Sequence, residues 1–112
     1  MLGKHLIIDV HNIINSEVLK YIKDIKPLLN LIINNTELNV VGELTYQFYP
    51  FGATVMYLLA ESHLSIHTYP ELHYCAIDLY SCNNKFNPDE IIEIISIFFN
   101  DNCWITKHLI ER

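Results

Sequence analysis

The fold expected for this chain follows from residues 53–60, which read ATVMYLLA. In a strand, alternate side chains point to opposite faces of the sheet, and here both alternating sets are mainly apolar. An antiparallel strand with one solvated face instead alternates apolar with polar residues. The segment therefore predicts a sheet that is covered on both sides.

The remaining strands are predicted on either side of this segment. Residues 39–49 form a strand candidate that only Pro50-Phe51-Gly52 separates from residues 53–60, so the two strands should pair as an antiparallel hairpin. Further strands are predicted at residues 5–10, 74–82 and 103–109. Residues 61–70 lie between two of these strands and are interpreted as a short loop.

Two segments have the spacing of amphipathic helices. In the first, Asn15 or Ser16 can act as the cap, and Pro27 predicts either a kink or a helix that begins near Asp24. Its apolar positions are Val18, Ile22, Ile25, Leu29 and Ile32, and Asn34-Asn35 ends it. In the second, Asn87 is the predicted cap and Pro88 the first helical residue. Its buried stripe is Ile91, Ile94, Ile95 and Phe98.

The sum of these elements is an α+β two-layer sandwich, in which two helices cover one face of an antiparallel sheet. A chain of 112 residues has the length of a single domain, residues 1–112, and has no further layer for the second apolar face. We therefore expect a homodimer in which two sheets face each other, an αββα arrangement.

The composition of the chain limits the kinds of function that it can have. Seven basic against thirteen acidic side chains give a formal charge of −6, which offers little support for nucleic-acid binding and suits a cationic ligand better. No apolar run is long enough to span a bilayer, and the N-terminal residues do not resemble a secretory signal. Cys75, Cys82 and Cys103 are odd in number and lack C-x-x-C spacing, so we expect a reducing, cytoplasmic setting.

Candidate chemistry is concentrated in residues 61–70, which read ESHLSIHTYP. Ser62 follows Glu61 directly, and two histidines, His63 and His67, lie four positions apart. A serine hydroxyl is a weak nucleophile unless a nearby base or a strained peptide activates it. Both kinds of activation are conceivable in this segment.

This segment resembles the processing site of the bacterial-type S-adenosylmethionine decarboxylases, a family of self-cleaving pyruvoyl enzymes. The resemblance is carried by residues 60–68 and then by Tyr69-Pro70-Glu71, Ala76-Ile77-Asp78, Ser81-Cys82, His5-Leu6, Phe48 and Pro50-Phe51-Gly52. It therefore touches most of the chain. Threonine stands at position 54 where the family usually has serine, and tyrosine at position 69 where tryptophan is usual.

The resemblance implies autocatalytic cleavage between Glu61 and Ser62. The products would be a β chain of residues 1–61 and an α chain of residues 62–112, whose first residue becomes a covalent pyruvoyl group derived from Ser62. In that reading His67 removes the Ser62 α-proton, and the Thr54 hydroxyl hydrogen-bonds the intermediate. The mature enzyme would be a dimer with two β and two α chains.

The resemblance also implies the substrate and its contacts. The pyruvoyl carbonyl would hold the S-adenosylmethionine amine as a Schiff base and accept electrons as carbon dioxide leaves, which serves spermidine biosynthesis. Cys82 would return a proton, which suits a thiol because it is protonated at neutral pH. Phe48, Tyr69 and His67 would contact the adenine and sulfonium groups, and Glu71 the ribose hydroxyls.

Other interpretations of the same residues remain open. A pyruvoyl relative could decarboxylate ornithine or arginine, and a dimeric homologue could keep the fold without any chemistry. His63 and His67 could bind a metal, but no third acidic or thiol ligand stands at suitable spacing, so no metal site is predicted. A serine hydrolase is disfavoured because the G-x-S-x-G motif is absent. Cys75 and Cys103 are expected to be core thiols.

Overall fold

The computed structural model describes residues 3–60, 62–82 and 86–112. In order, the described elements are β1 (Gly3–His11), α1 (Ile22–Asn34), β2 (Val40–Gln47), β3 (Ala53–Leu59), β4 (Ser62–Tyr69), β5 (Tyr74–Cys82), α2 (Pro88–Phe98) and β6 (Trp104–Glu111). All strand pairs are antiparallel, and the sheet order is β2-β3-β4-β5-β1-β6. The α+β prediction of two helices against one antiparallel sheet is confirmed.

One face of the sheet and the inner sides of both helices form the core. Every second side chain of the central strands points to the helices and is fully or almost fully buried, as the odd-numbered apolar residues of β3 are. The helices contribute Ile25, Leu28, Leu29 and Ile32 from α1 and Ile91 and Ile95 from α2. Because the strands alternate with period two and the helices with period 3.6, these residues meet in one continuous cluster.

The first helical segment is divided. Asn15 caps a 3₁₀ turn at Ser16–Leu19 by accepting a hydrogen bond from the Glu17 amide, and α1 begins only at Ile22. Pro27 lies inside α1, in its second turn, so the break in the helical pattern falls before Ile22. The structure is closer to the predicted late start than to one helix beginning at Asn15 or Ser16.

The second helix begins as its sequence indicates. The Asn87 side chain accepts a hydrogen bond of 2.9 Å from the Asp89 amide, and Pro88 is the first helical residue. Proline is tolerated there because the amide it lacks has no partner within the helix. Asp89 also binds Lys107 of β6 at 2.8 Å and ties the start of α2 to the edge of the sheet.

The interpretation of residues 61–70 as a loop was wrong for most of their length. Residues 62–69 form β4, which pairs with β3 on one side and β5 on the other near the centre of the sheet. Leu64, Ile66 and Thr68 are buried on the helix side, and the intervening residues belong to the opposite face. The strand alternation was hidden because those intervening positions are histidine, serine and tyrosine rather than charged residues.

The opposite face of the sheet is uncovered in a single chain. On β2 and β3 it is apolar, with Leu44 75%, Leu58 59% and Met56 40% exposed. Towards β5 and β1 it becomes polar, and His5 Nε2 lies 3.0 Å from Asp78 Oδ1. This exposed apolar area is what the dimer prediction requires, and the dimer itself stays a prediction.

Candidate active site

A cavity of about 410 Å³ opens where the β2–β3 turn meets the C-terminal end of β4. One wall is the turn itself, and the other is the end of β4 with the following 3₁₀ turn, Pro70–Leu72. The lining residues are Phe48, Tyr49, Pro50, Phe51, Gly52, Thr54, His67, Thr68, Tyr69 and Glu71. All four predicted substrate contacts, Phe48, His67, Tyr69 and Glu71, are thus brought together here, along with Thr54.

Thr54 and His67 form a direct pair in this cavity. They are opposite each other in the β3–β4 register, and Thr54 Oγ1 lies 2.8 Å from His67 Nδ1. Since the hydroxyl engages Nδ1, Nε2 is the ring nitrogen that can exchange a proton with another group. Both residues are half-buried, so the pair is shielded and still reachable from the cavity.

Aromatic rings and one carboxylate line the rest of the cavity. Phe48 packs edge-on against Tyr46 with ring centroids 4.9 Å apart. Tyr69 stacks on Tyr74 at 5.6 Å, and the Tyr74 hydroxyl donates to the Asp9 carboxylate. Burial and this hydrogen bond raise the pKa of Tyr74, so the phenol remains protonated at neutral pH. Glu71, Phe48 and Tyr69 together suit a ligand with an aromatic ring and a positive charge.

Thr68 was not identified as a site residue from the sequence. Its hydroxyl donates to the Leu19 carbonyl at 2.7 Å and accepts from the Ala53 amide at 2.8 Å, and so it joins β4, β3 and the preceding 3₁₀ turn beneath the cavity. The position of Thr68 in the sequence could have identified it. A polar residue that follows Leu64 and Ile66 at alternate positions faces the core, where a hydroxyl requires partners.

Ser62 lies at the other end of β4. It is the first residue of that strand and pairs with Leu59. Its Oγ is buried and has no hydrogen-bond partner among the described residues. A buried hydroxyl without a partner costs on the order of 1–3 kcal/mol, so this serine does not contribute to stability as an ordinary core hydroxyl would. Glu61, the other side of the predicted cleavage, lies outside the described residues.

Cys82 lies at the same end of the sheet as Ser62. It is the last residue of β5, and the β4–β5 register pairs His63 with Tyr80 nearby. Cys82 is half-buried and pairs with Gly3 of β1. A Cβ on Gly3 would lie 2.5 Å from the Ser81 carbonyl oxygen, so β1 approaches β5 here more closely than a side chain permits.

The predicted site residues therefore form two groups. Five positions along β4 separate Ser62 from His67, which is about 16 Å at a strand rise of roughly 3.3 Å per residue. The two residues also differ in parity, so their side chains leave opposite faces of the sheet. Within one copy of the chain, His67 cannot contact Ser62.

The remaining cysteines and possible metal ligands are not part of these groups. Burial raises the pKa of the Cys75 thiol and, less strongly, of the Cys103 thiol. Cys75 is a core thiol, as expected, and Cys103 is half-buried beside that core. In the described part of the chain, no three His, Cys, Asp or Glu side chains are grouped to hold a metal ion.

Comparisons with known proteins agree on one family. The family model described as S-adenosylmethionine decarboxylase matches residues 4–112. The chain is 37% identical over 112 residues to S-adenosylmethionine decarboxylase proenzyme 2 of Bacillus cereus, covering 97% of this chain and 88% of that one. It is 38% identical over 94 residues to the S-adenosylmethionine decarboxylase proenzyme of Sulfurihydrogenibium sp., covering 84% and 70%.

A solved structure shows the same similarity in three dimensions. The adenosylmethionine decarboxylase of Aquifex aeolicus superimposes with a TM-score of 0.86 at 32% identity, and the match covers 99% of this chain and 90% of that one. The fold and these relatives define the class of protein as a small α+β decarboxylase. The chain belongs to the S-adenosylmethionine decarboxylase family. Among the described residues, no helix is long and apolar enough to cross a membrane.

Proposed function

We propose that this chain is a proenzyme that cleaves itself between Glu61 and Ser62 and then decarboxylates S-adenosylmethionine for spermidine synthesis. The observation that carries the proposal is the buried Ser62 Oγ, which has no hydrogen-bond partner among the described residues, at the position predicted for cleavage in a chain of this family. The named proenzymes among its relatives support the same conclusion.

In the processing step Ser62 Oγ attacks the Glu61 carbonyl carbon, and an ester replaces the peptide bond as the nitrogen is protonated. Loss of the Ser62 α-proton to His67 then breaks the Ser62 Cβ–Oγ bond, which releases the first fragment with a Glu61 carboxylate and leaves dehydroalanine at residue 62. Addition of water and departure of ammonia leave a pyruvoyl group at residue 62. That group supplies the electron sink that decarboxylation of an amino acid requires.

Two copies of the chain are needed to bring these residues together. His67 and Ser62 lie at opposite ends of β4, and the apolar part of the open sheet face is exposed in one copy. A twofold axis that lies between two open faces and runs across the strands places the His67 end of one copy over the Ser62 end of the other. His67 then approaches the main chain of residue 62 from the face opposite to Ser62 Oγ, which attacks the Glu61 carbonyl of its own chain. We therefore propose a homodimer with two composite sites, each using His67 and Thr54 of one copy and Ser62 and Cys82 of the other.

The cavity provides the substrate contacts of each composite site. Phe48, Tyr69 and His67 offer ring surfaces for adenine, and an aromatic face near the sulfonium contributes roughly 0.5–2 kcal/mol. The exposed Glu71 carboxylate can accept hydrogen bonds from both ribose hydroxyls. Cys82, beside Ser62 at the sheet end, donates the proton that replaces the departing carboxyl group.

Mass spectrometry and a carbon dioxide assay test this proposal. Purified protein should consist of two fragments divided after Glu61, the second with a pyruvoyl end, and should release labelled carbon dioxide from S-adenosylmethionine. Ser62→Ala should remain one chain of 13.1 kDa and be inactive.

Three results would contradict the proposal. Release from ornithine or arginine alone would assign a different substrate. An intact wild-type chain without activity would indicate a non-catalytic homologue, and an intact chain with activity would exclude pyruvoyl chemistry.

A further inference from the structure

The side chain of Gln47, the last residue of β2, lies between the cavity wall and the start of α1. Its Oε1 accepts a hydrogen bond of 2.9 Å from the Ile22 amide. Ile22 is the first residue of α1, and its amide has no acceptor within the helix. Gln47 thus satisfies one of the free donors at this helix end.

The side-chain amide nitrogen of Gln47 faces carbonyl oxygens only. Gln47 Nε2 donates to the Lys20 carbonyl at 2.8 Å and to the Gly52 carbonyl at 2.9 Å, and the Phe48 carbonyl lies 3.3 Å away. The amide orientation is therefore determined, because its reverse would place Oε1 against three oxygens and leave the Ile22 amide facing an NH₂ group.

These bonds fix the turn that forms one wall of the cavity. The Phe48 amide donates to the Gly52 carbonyl at 2.8 Å and closes the turn, and the Gly52 amide donates to the Lys20 carbonyl at 2.9 Å. The Lys20 ammonium also lies 4.6 Å from the Phe51 ring centroid. Gln47 is the one side chain among the described residues whose hydrogen bonds reach both the turn and the residues just before α1.

We propose that Gln47 is a positioning residue for substrate binding, which holds the 48–52 turn against the start of α1 so that Phe48 lines the cavity. This inference rests on the proposed function for the identity of the substrate. It assigns Gln47 no contact with the reacting atoms, and it leaves the Thr54–His67 pair and the Ser62 end of β4 unchanged.

The test compares Gln47→Glu with wild type. The substitution keeps the shape of the side chain but places a carboxylate oxygen against the three carbonyl oxygens. We therefore expect the 48–52 turn to lose its attachment to the start of α1. We expect KM for S-adenosylmethionine to rise about tenfold, equivalent to about 1.4 kcal/mol of binding, with kcat within about twofold. Self-cleavage should go to completion as in wild type. Amide hydrogen exchange at Phe48 and Gly52 should become faster.

Asn30→Ala is the matched control. It removes another hydrogen bond between α1 and the sheet, the 2.6 Å bond from the Tyr57 hydroxyl to Asn30 Oδ1, without touching the cavity wall. We expect a lower Tm with unchanged KM and unchanged exchange at Gly52.

Any one of three results would overturn the inference. The first is an unchanged KM in Gln47→Glu, and the second is an equal rise in KM in Asn30→Ala. The third is unchanged exchange at Phe48 and Gly52 in Gln47→Glu, and this readout does not depend on the substrate. Failure of the proposed function would instead appear in wild type, as absent cleavage or absent turnover.

Discussion

At the scale of single residues, the orientation of the His67 ring depends on its hydrogen bond with Thr54. The 2.8 Å contact between Thr54 Oγ1 and His67 Nδ1 selects the ring orientation and directs Nε2 away from the sheet neighbour. The methyl group that distinguishes threonine from serine does not prevent this contact. The proposed function therefore assigns the role of position 54 to the hydroxyl rather than to the whole side chain.

Thr54→Val should slow self-cleavage about tenfold, the effect of losing a hydrogen bond worth about 1.4 kcal/mol. Valine keeps the shape and removes only the hydroxyl, so the fold should be retained. The rate is measured from the fraction of intact chain over time by mass spectrometry. Thr54→Ser is the control and should cleave at close to the wild-type rate. Equal rates for all three proteins would contradict the role of the hydroxyl.

At the scale of elements, the Asn87 cap at the start of α2 stabilises that helix. Asn87→Ala removes the acceptor of the Asp89 amide and should cost about 1 kcal/mol, which is a fall in Tm of about 4–8 °C. Tm should be measured in variants that also carry Ser62→Ala, because that chain stays intact and can unfold in one step. Asn87→Ser keeps a capping oxygen and should lose little. A similar loss in both variants would show that the cap itself is not responsible.

The pair between α2 and β6 predicts a pH dependence. The Lys107 ammonium, through its hydrogen bond and its charge, holds the pKa of the Asp89 carboxyl below its ordinary value of 3.8. A lowered folded-state pKa means that this stabilisation is present above the unfolded value and is lost as the pH falls through the folded one. Asp89→Asn should therefore lower Tm slightly at neutral pH, and the difference from its parent should vanish in acid.

Glu93→Gln on the same helix serves as the control for that titration. Glu93 is exposed, and the variant changes the net charge by the same amount. Its Tm difference should be smaller and should not follow the same pH course. Because the Asp89–Lys107 pair is exposed, added salt should weaken its effect. Identical pH profiles for the two variants would show that net charge, and not the pair, is responsible.

The sequence predicted those elements whose signals are local. The cap at Asn87, the proline at position 88 and the apolar run of β3 are each contained within a few residues, and these elements were found. β4 was missed because its positions on the open face of the sheet include His63 and His67, and histidines indicate a reactive loop as readily as they indicate one face of a strand. The fold class survived this error because β4 simply inserts between two predicted strands.

The arrangement of the candidate site could be predicted only in part. The resemblance named Thr54 and His67, but their contact depends on the β3–β4 register, which no local pattern specifies. The roughly 16 Å between Ser62 and His67 follows from β4 being a strand, so the loop interpretation could not reveal it. Gln47 has no local signal, because its partners near Lys20 are distant in sequence.

At the scale of the whole molecule, the division of the site predicts complementation between inactive variants. In the proposed mechanism, Ser62→Ala cannot cleave itself and His67→Ala lacks the base. In a mixed dimer, Ser62 of the His67→Ala chain meets His67 of the Ser62→Ala chain, and one of the two sites is complete. Co-expression should therefore restore cleavage of the His67→Ala chain and up to about half of the activity.

The control for complementation pairs Ser62→Ala with a chain that carries both substitutions. This pair has no complete site and should remain uncut and inactive. Differently tagged chains, separated by mass, report which copy has been cleaved. Cleavage of His67→Ala alone at the wild-type rate would contradict the composite site, as would a co-expressed pair that forms mixed dimers and stays intact.

The strand order has a consequence for the two fragments. Strands β1, β2 and β3 precede the proposed cut and β4, β5 and β6 follow it, yet the sheet runs β2-β3-β4-β5-β1-β6. The two fragments are therefore joined by three pairs of hydrogen-bonded strands, β3 with β4, β5 with β1 and β1 with β6. The nicked protein should elute as one species from a sizing column and come apart only in denaturant. After the denaturant is removed, the rate at which the separated fragments reassemble should increase with protein concentration, because reassembly is a bimolecular step.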